Sequence, residues 1–251
     1  MTANLNTASP RAKRILLIAA NPAVSPTTGW PIGFWAAELT HPYWAFTEAG
    51  YQVDIVSPSG GKLQIDSYSD PRDASGYSAS DILSLGFLSS PTHAALLDNT
   101  PAISTVKVAD YDAVFLAGGI GITPFRSMAV IDNAPLHQLV AAFWEAGKVV
   151  SVVCHATCVL LKVRLADGSL LVDGKTWTGF ANSEEQFADS FVGQKIQPFW
   201  IEDEARKLPN TNFVVHSRFR EFALRDGRLV TGQQQFSGAA AARLTIEALG
   251  L

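Results

Sequence analysis

Cysteine is scarce in this chain, with only Cys154 and Cys158 among 251 residues. Two thiols separated by three residues exclude the disulfide framework of a small secreted protein. If Val153 ends a strand and Thr157 is already helical, the pair sits about a turn apart, and that geometry does not favour a bridge. Long apolar runs are also missing: nothing approaches the roughly 20 residues that cross a bilayer. The opening MTANLNTASPRAKR has no apolar centre of the kind a signal peptide carries. A cytoplasmic protein with no membrane partner is expected. Basic runs stop at Arg11-Ala12-Lys13-Arg14, and 23 acidic against 19 basic residues leave a formal charge of -4, which argues against a nucleic-acid partner. The histidines at 41, 93, 137, 155 and 216 have no ligand spacing, so no metal is expected. No internal repeat and no linker is visible.

Apolar substance is plentiful, at 47% of the residues. That suffices for one large core, and the reading is a single domain over residues 1–251 with a polar tail at 1–13. Apolar runs at 15–20, 52–57, 111–117 and 149–153 read as buried strands. Helical spacing lies between them. One helix is expected over 43–49, opened by Pro42, whose missing NH suits a first turn, and closed by Gly50. Others are expected at 80–87, near 93–98, at 136–146 and at 154–163. Further on come a strand-like stretch at 176–180, an acidic helix start at Ser183-Glu184-Glu185, and a polar helix at 201–207. A strand at 212–216, a hairpin at 222–231 turning on Asp226-Gly227, and a last helix at 238–249 complete the chain. Apolar strands separated by helices predict an α/β fold with a mostly parallel sheet covered on both faces.

Within such a sheet the carboxyl ends of strands are where side chains meet a ligand, and Cys154 directly follows VVSVV. A thiol at a sharp strand-to-helix turn is held exposed, with helix NH groups available to a thiolate and to a substrate oxyanion. The glycines that flank a serine nucleophile elbow are absent, so that motif does not apply. A buried, inert thiol is the competing reading for Cys154 and the simplest one for Cys158.

Six stretches together resemble the ThiJ/PfpI superfamily, the class I glutamine-amidotransferase-like fold, and within it the heat-shock glyoxalase branch. They are GFWAAELTHPYWAFTEAGYQVDIVSPSGG from Gly33, YDAVFLAGGIG from Tyr111, GKVVSVVCHATCVLL from Gly147, GKTWTGFANSEE from Gly174, PFWIEDEARKL from Pro198 and DGRLVTGQQQFSG from Asp226. The resemblance implies a flavodoxin-like three-layer sandwich, a homodimer, no cofactor, and Cys154 as nucleophile. It assigns Glu38, in the segment Glu38-Leu39-Thr40-His41-Pro42, the proton-sharing acid. A carboxylate beside a thiolate is protonated or raises its neighbour's pKa, so the pair can pass a proton near neutral pH. Otherwise Glu38 caps the helix near Pro42 or faces water. His155 is implied as the base and Glu185 as the residue that orients it, with Glu184 the alternative one position away; a satisfied interior histidine is the bland reading. Gly118 and Gly119 resemble an oxyanion loop, although a glycine pair also serves as a simple turn.

The chain departs from the family at several points. Ile120 stands where histidine is usual, Ala156-Thr157 replace Gly-Pro, and Gln233-Gln234-Gln235-Phe236 bring flexible amides and an added aromatic. With Trp30, Phe34, Trp35 and Phe125 in loops or at element starts, the substrate pocket is expected to be apolar and to suit a bulkier substrate than methylglyoxal. The same aromatics also fit a core or a dimer seam. The glyoxalase reading has Cys154 add to a 2-oxoaldehyde and release a 2-hydroxy acid. Two alternatives stand beside it: a cysteine-dependent hydratase or hydrolase acting on a bulkier electrophile such as an isonitrile, and a stress-related chaperone or redox sensor. A glutamine amidotransferase proper is disfavoured, since His216-Ser217-Arg218 lacks the acid of its His-x-Glu.

Overall fold

A computed structural model of the protein describes residues 12–25, 29–119 and 132–250. In chain order the elements are β1 (Arg14–Ile18), the short strands β2 (Ala23–Val24) and β3 (Pro31–Ile32), α1 (Ala36–Glu48), β4 (Gln52–Val56), α2 (Ile82–Ser89), α3 (Pro91–Ala94) and β5 (Ala113–Leu116). They continue with α4 (Ala134–Glu145), β6 (Val149–Val153), a 3₁₀ segment (Cys154–Leu161), β7 (Thr176–Trp177), α5 (Asn182–Val192) and α6 (Ile201–Ala205). The last are β8 (Asn212–Phe213), β9 (Ala223–Asp226), β10 (Leu229–Gly232) and α7 (Gly238–Ala248).

The main sheet has the order β4-β1-β5-β6-β10-β9. All its pairings are parallel except the β9–β10 hairpin. β1, β5, β6 and β10 are buried along almost their whole length. Side chains of a strand alternate between faces, so burial at successive positions means that both faces are covered. α1 packs on α7, α7 lies against β6 and β10, and α4 lies against β5 and β6. The chain leaves β1 toward β4 on one side and returns to β5 on the other. This reversal opens a crevice at the carboxyl ends of the central strands, the usual ligand position in such sheets.

Expectations are corrected at three places. The first concerns α1, which starts at Ala36 rather than at Pro42 and carries Pro42 inside it. A proline there removes the hydrogen bond to the carbonyl four residues back, that of Glu38. Burial of Ala36, Ala37, Leu39 and Thr40 holds the first turn in place regardless. Across the helix interface, a Cβ on Gly238 would stand only 3.4 Å from the Pro42 ring, so α7 meets α1 at this point without a side chain between them. The second concerns residues 154–163, expected to be helical, where the chain winds as a 3₁₀ segment from Cys154 to Leu161. The strands expected at 176–180 and 212–216 contract to the two-residue pair β7 and β8.

Candidate active site

Cys154 is the first residue after β6, and its φ of +59° lies in the left-handed region. For a residue with a Cβ that costs roughly 1–2 kcal/mol. The strain turns the chain abruptly from strand into 3₁₀ winding, and Thr157 fixes the turn by donating its Oγ1 hydrogen to the Cys154 carbonyl at 2.6 Å. The thiol is not exposed as expected: Cys154 is only 3% accessible. Burial first, and the Glu38 carboxyl second, push the thiol well above the ordinary cysteine range, opposed by the backbone NH of His155, which is hydrogen-bonded to the sulfur.

Glu38 sits in the first turn of α1, wholly buried, and neither caps the helix nor meets water. Its Oε2 accepts the Gly118 NH at 2.7 Å. Its Oε1 makes no directed hydrogen bond of ordinary geometry, yet the carboxyl and the thiol are close enough to perturb each other's titration. Burial raises the Glu38 pKa to about 8, against the pull of Cys154 and Gly118 toward the ionised form. Near neutral pH the side chain is therefore mostly a carboxylic acid and carries a proton it can give. Gly118 is wedged between the two groups: a Cβ there would lie 2.5 Å from Glu38 Oε2 and 2.8 Å from the Cys154 Cβ. The Gly118 NH is thus committed to Glu38 and is not free for an oxyanion; Gly119 is the member of the pair that lines the pocket.

His155 Nδ1 lies 3.5 Å from the Cys154 sulfur, and Nε2 lies 3.0 Å from Glu185 Oε1. A carboxylate at Glu185 can only accept, which places a proton on Nε2 and leaves the Nδ1 lone pair toward the thiol. Phe180 stacks on the ring at a centroid distance of 4.0 Å and holds its plane. Glu184 has a different set of partners: it accepts from the Ala181 NH, the Phe219 NH and the Gln233 amide. These bonds tie the start of α5 to the segment that carries Phe219, another residue at positive φ.

Above the cysteine lies a half-open pocket of about 100 Å³. Trp30 and Gly119 line it together with Cys154, His155 and Glu185, whereas Phe34 and Ala156 do not. Phe34 is fully buried in the core, and Ala156 borders a smaller cavity with Leu116 and Leu136 instead. Ile120 and Phe125 lie outside the described residues. The amides of Gln233 and Gln234 are not flexible pocket groups. Both are fully buried, Gln233 on Glu184 and Gln234 on the Arg220 carbonyl and the Phe236 NH, while Gln235 lines the pocket and Phe236 is exposed. The walls also hold Tyr68, Tyr77, Phe180, Phe187, Phe191 and Gln197, none of which carried a sequence expectation. Tyr68 and Tyr77 fall in the long stretch of poor periodicity after β4, and aromatics in such a loop were the available signal. Among the described residues no group of three or more His, Cys, Asp or Glu side chains is arranged to hold a metal ion.

Comparison with known proteins places this geometry in context. The sequence profile of the DJ-1/PfpI family matches residues 32–247. A protein of Schizosaccharomyces pombe named as a probable glutathione-independent glyoxalase is 30% identical across 96% of this chain and 100% of its own length. The glutathione-independent glyoxalase HSP31 of Saccharomyces cerevisiae is also 30% identical, across 88% of this chain and 91% of its own. Among solved structures, the Rapid Encystment Protein of Francisella tularensis superposes with a TM-score of 0.83 at 25% identity, covering 95% of this chain and 100% of that one.

Proposed function

The chain belongs to the DJ-1/PfpI family, and from that premise we propose that it is a glutathione-independent glyoxalase, an enzyme that converts a 2-oxoaldehyde into a 2-hydroxy acid with a cysteine as nucleophile. The observation that carries this reading is the meeting of three groups at one sulfur: the mostly protonated Glu38 carboxyl, the His155 Nδ1 at 3.5 Å, and the backbone NH of His155.

With its pKa raised, Cys154 is a thiol in the resting protein, so deprotonation accompanies attack. His155 Nδ1 takes the thiol proton as the sulfur adds to the aldehyde carbon, and the imidazolium is stabilised by Glu185. The new alkoxide takes a proton from Glu38 to give the hemithioacetal. The hydrogen on the former aldehyde carbon is then removed as a proton and returned to the neighbouring carbon through an enediol, leaving a thioester on Cys154. Water cleaves the thioester, the thiol regains its proton, and the sum is oxoaldehyde plus water giving hydroxy acid. Redox state is unchanged overall, so no nicotinamide enters the balance, and Cys154 itself supplies the thiol that glutathione would otherwise provide. The same reading has a single domain working in the cytoplasm as a homodimer; among the described residues no helix is long and apolar enough to cross a membrane.

The test mixes the protein with methylglyoxal in the absence of glutathione and follows D- and L-lactate by chiral chromatography. Lactate from the unmodified protein, lost in Cys154→Ala and in Glu38→Gln, supports the assignment; no acid product from any oxoaldehyde overturns it. A second reading, hydration or hydrolysis of a bulkier electrophile such as an isonitrile, is favoured by the aromatic walls of the pocket and would be tested by the corresponding formamide product.

A further inference from the structure

The pocket is aromatic on almost every side, and this leaves one polar side chain in it without an explanation. Gln197 lies between α5 and α6 and lines the same pocket as Cys154. It is 1% accessible, and its Oε1 is buried with no hydrogen-bond partner among the described residues. A buried amide oxygen without a partner costs roughly 1–3 kcal/mol, so its retention in a wall otherwise suited to apolar contact asks for a ligand that satisfies it.

The backbone denies the amide an easy escape. The NH of Ile196 is tied to Asp189 Oδ1 at 2.8 Å, and Pro198 restricts Gln197 to extended conformations. Gln235 also lines the pocket and is 5% accessible, but its amide oxygen is not buried and orphaned as that of Gln197 is. Beside the reacting groups Cys154, His155 and Glu185, the pocket's other polar side chains include those of Tyr68 and Tyr77, neither of which has a side-chain oxygen that is both buried and without a partner.

The space itself indicates what the ligand carries. Trp30 and Tyr68 meet at a centroid distance of 5.8 Å, Tyr68 and Phe191 at 5.8 Å, and Trp35 and Tyr77 at 6.0 Å. Such walls offer ring faces and edges to a flat apolar group, and a methyl substituent would leave most of the 100 Å³ unfilled. We propose that Gln197 is a specificity-determining residue that reads a hydroxyl on an aryl substituent of the substrate, so that the favoured 2-oxoaldehyde is a hydroxyaryl one. A phenol hydroxyl donates to Oε1 or, with the amide turned over, accepts from its NH₂, so either orientation of the amide can serve it. This deepens the glyoxalase reading and rests on it for the word substrate.

Binding and turnover separate the two ideas. Calorimetry with 4-hydroxyacetophenone and acetophenone, which lack the aldehyde, is expected to give the hydroxylated ketone about tenfold tighter binding to the unmodified protein. In Gln197→Met, which keeps length and removes the amide, that ratio is expected to fall to near one while acetophenone affinity is held or improved. In turnover, kcat/KM for 4-hydroxyphenylglyoxal over phenylglyoxal should follow the same pattern, and a Gln197→Asn variant should restore part of the preference. An unchanged binding ratio in Gln197→Met, or equal affinity for both ketones in the unmodified protein, overturns the proposal. If the ratio behaves as expected and no oxoaldehyde yields acid, the glyoxalase reading fails and the recognition role of Gln197 stands.

Discussion

Glu38 and Gly118 set the chemistry at the scale of single residues. The carboxyl titrates at about 8 in the folded chain against an ordinary value of 4.5. Between those values the folded protein holds a proton that the unfolded chain has released, so this group's contribution to stability is full below pH 4.5 and is lost as pH rises through about 8. Glu38→Gln, neutral at every pH, should abolish that slope. Denaturant midpoints of the two proteins are expected to diverge from about pH 5 upward, the variant gaining on the order of 4 kcal/mol at most relative to the unmodified protein by pH 9. Turnover in the same variant is expected to fall by about 10²–10⁴-fold, the usual worth of a positioned acid or base. Gly118→Ala should do damage of another kind. Its methyl group has no room between the carboxyl and the cysteine, and a loss of about 1–3 kcal/mol in stability is expected together with a drop in turnover, read by thermal melting and initial rates. Neither the burial of Glu38 nor the positive φ of Cys154 was legible in the sequence. Both arise where α1 and β6 meet, and no pattern within either segment encodes the other.

At the scale of elements, α5 carries two adjacent glutamates with separate tasks. Glu184 joins three donors across three segments, while Glu185 bonds the ring of His155. Glu184→Gln places an NH₂ against one of those donors and should cost about 1–3 kcal/mol of stability. Glu185→Gln should leave the melting temperature closer to that of the unmodified protein and lower kcat. Equal effects of the two substitutions on both quantities would contradict this division. Element positions were legible in uneven measure. β6 has the bounds read from its apolar run, because a fully buried central strand announces itself by composition alone. The start of α1 did not, because Pro42 carries a local signal for a first turn that the packing of Ala36 to Thr40 overrides. Gln197 sits in an extended stretch with no motif, and only its missing partner draws notice.

Across the whole molecule, the two ends of the sheet do different work. At the end away from the cysteine, the Arg14 guanidinium pairs with Asp54 at 2.6 Å, its backbone NH is held by Asp112 at 2.9 Å, and it lies over the Tyr111 ring. These contacts pin β1, β4 and β5 together at their amino ends. Arg14 and Asp54 are about a third exposed, and partly solvated pairs are worth little. Arg14→Met is therefore expected to cost about 1 kcal/mol or less and to leave kcat and KM unchanged, by the same melting and rate measurements. The layered α/β architecture was legible because strand and helix signals alternate along the chain; the six-strand order was not, since the reversal between β1 and β5 depends on which neighbours each strand finds.

The seclusion of the thiols has a consequence for how the chain reports on its own folding. Cys154 and Cys158 are both buried and free, and burial pushes both thiols well above the ordinary cysteine range. Unfolding returns them to ordinary water-exposed thiols, far more ionised at pH 8 and open to alkylation. Cys154 lines the pocket and meets small electrophiles in the native protein, whereas Cys158 lies outside it and is wholly buried. Cys158 is thus a built-in gauge of opening, and in Cys154→Ala the rate at which a thiol reagent consumes it follows the population of opened chains.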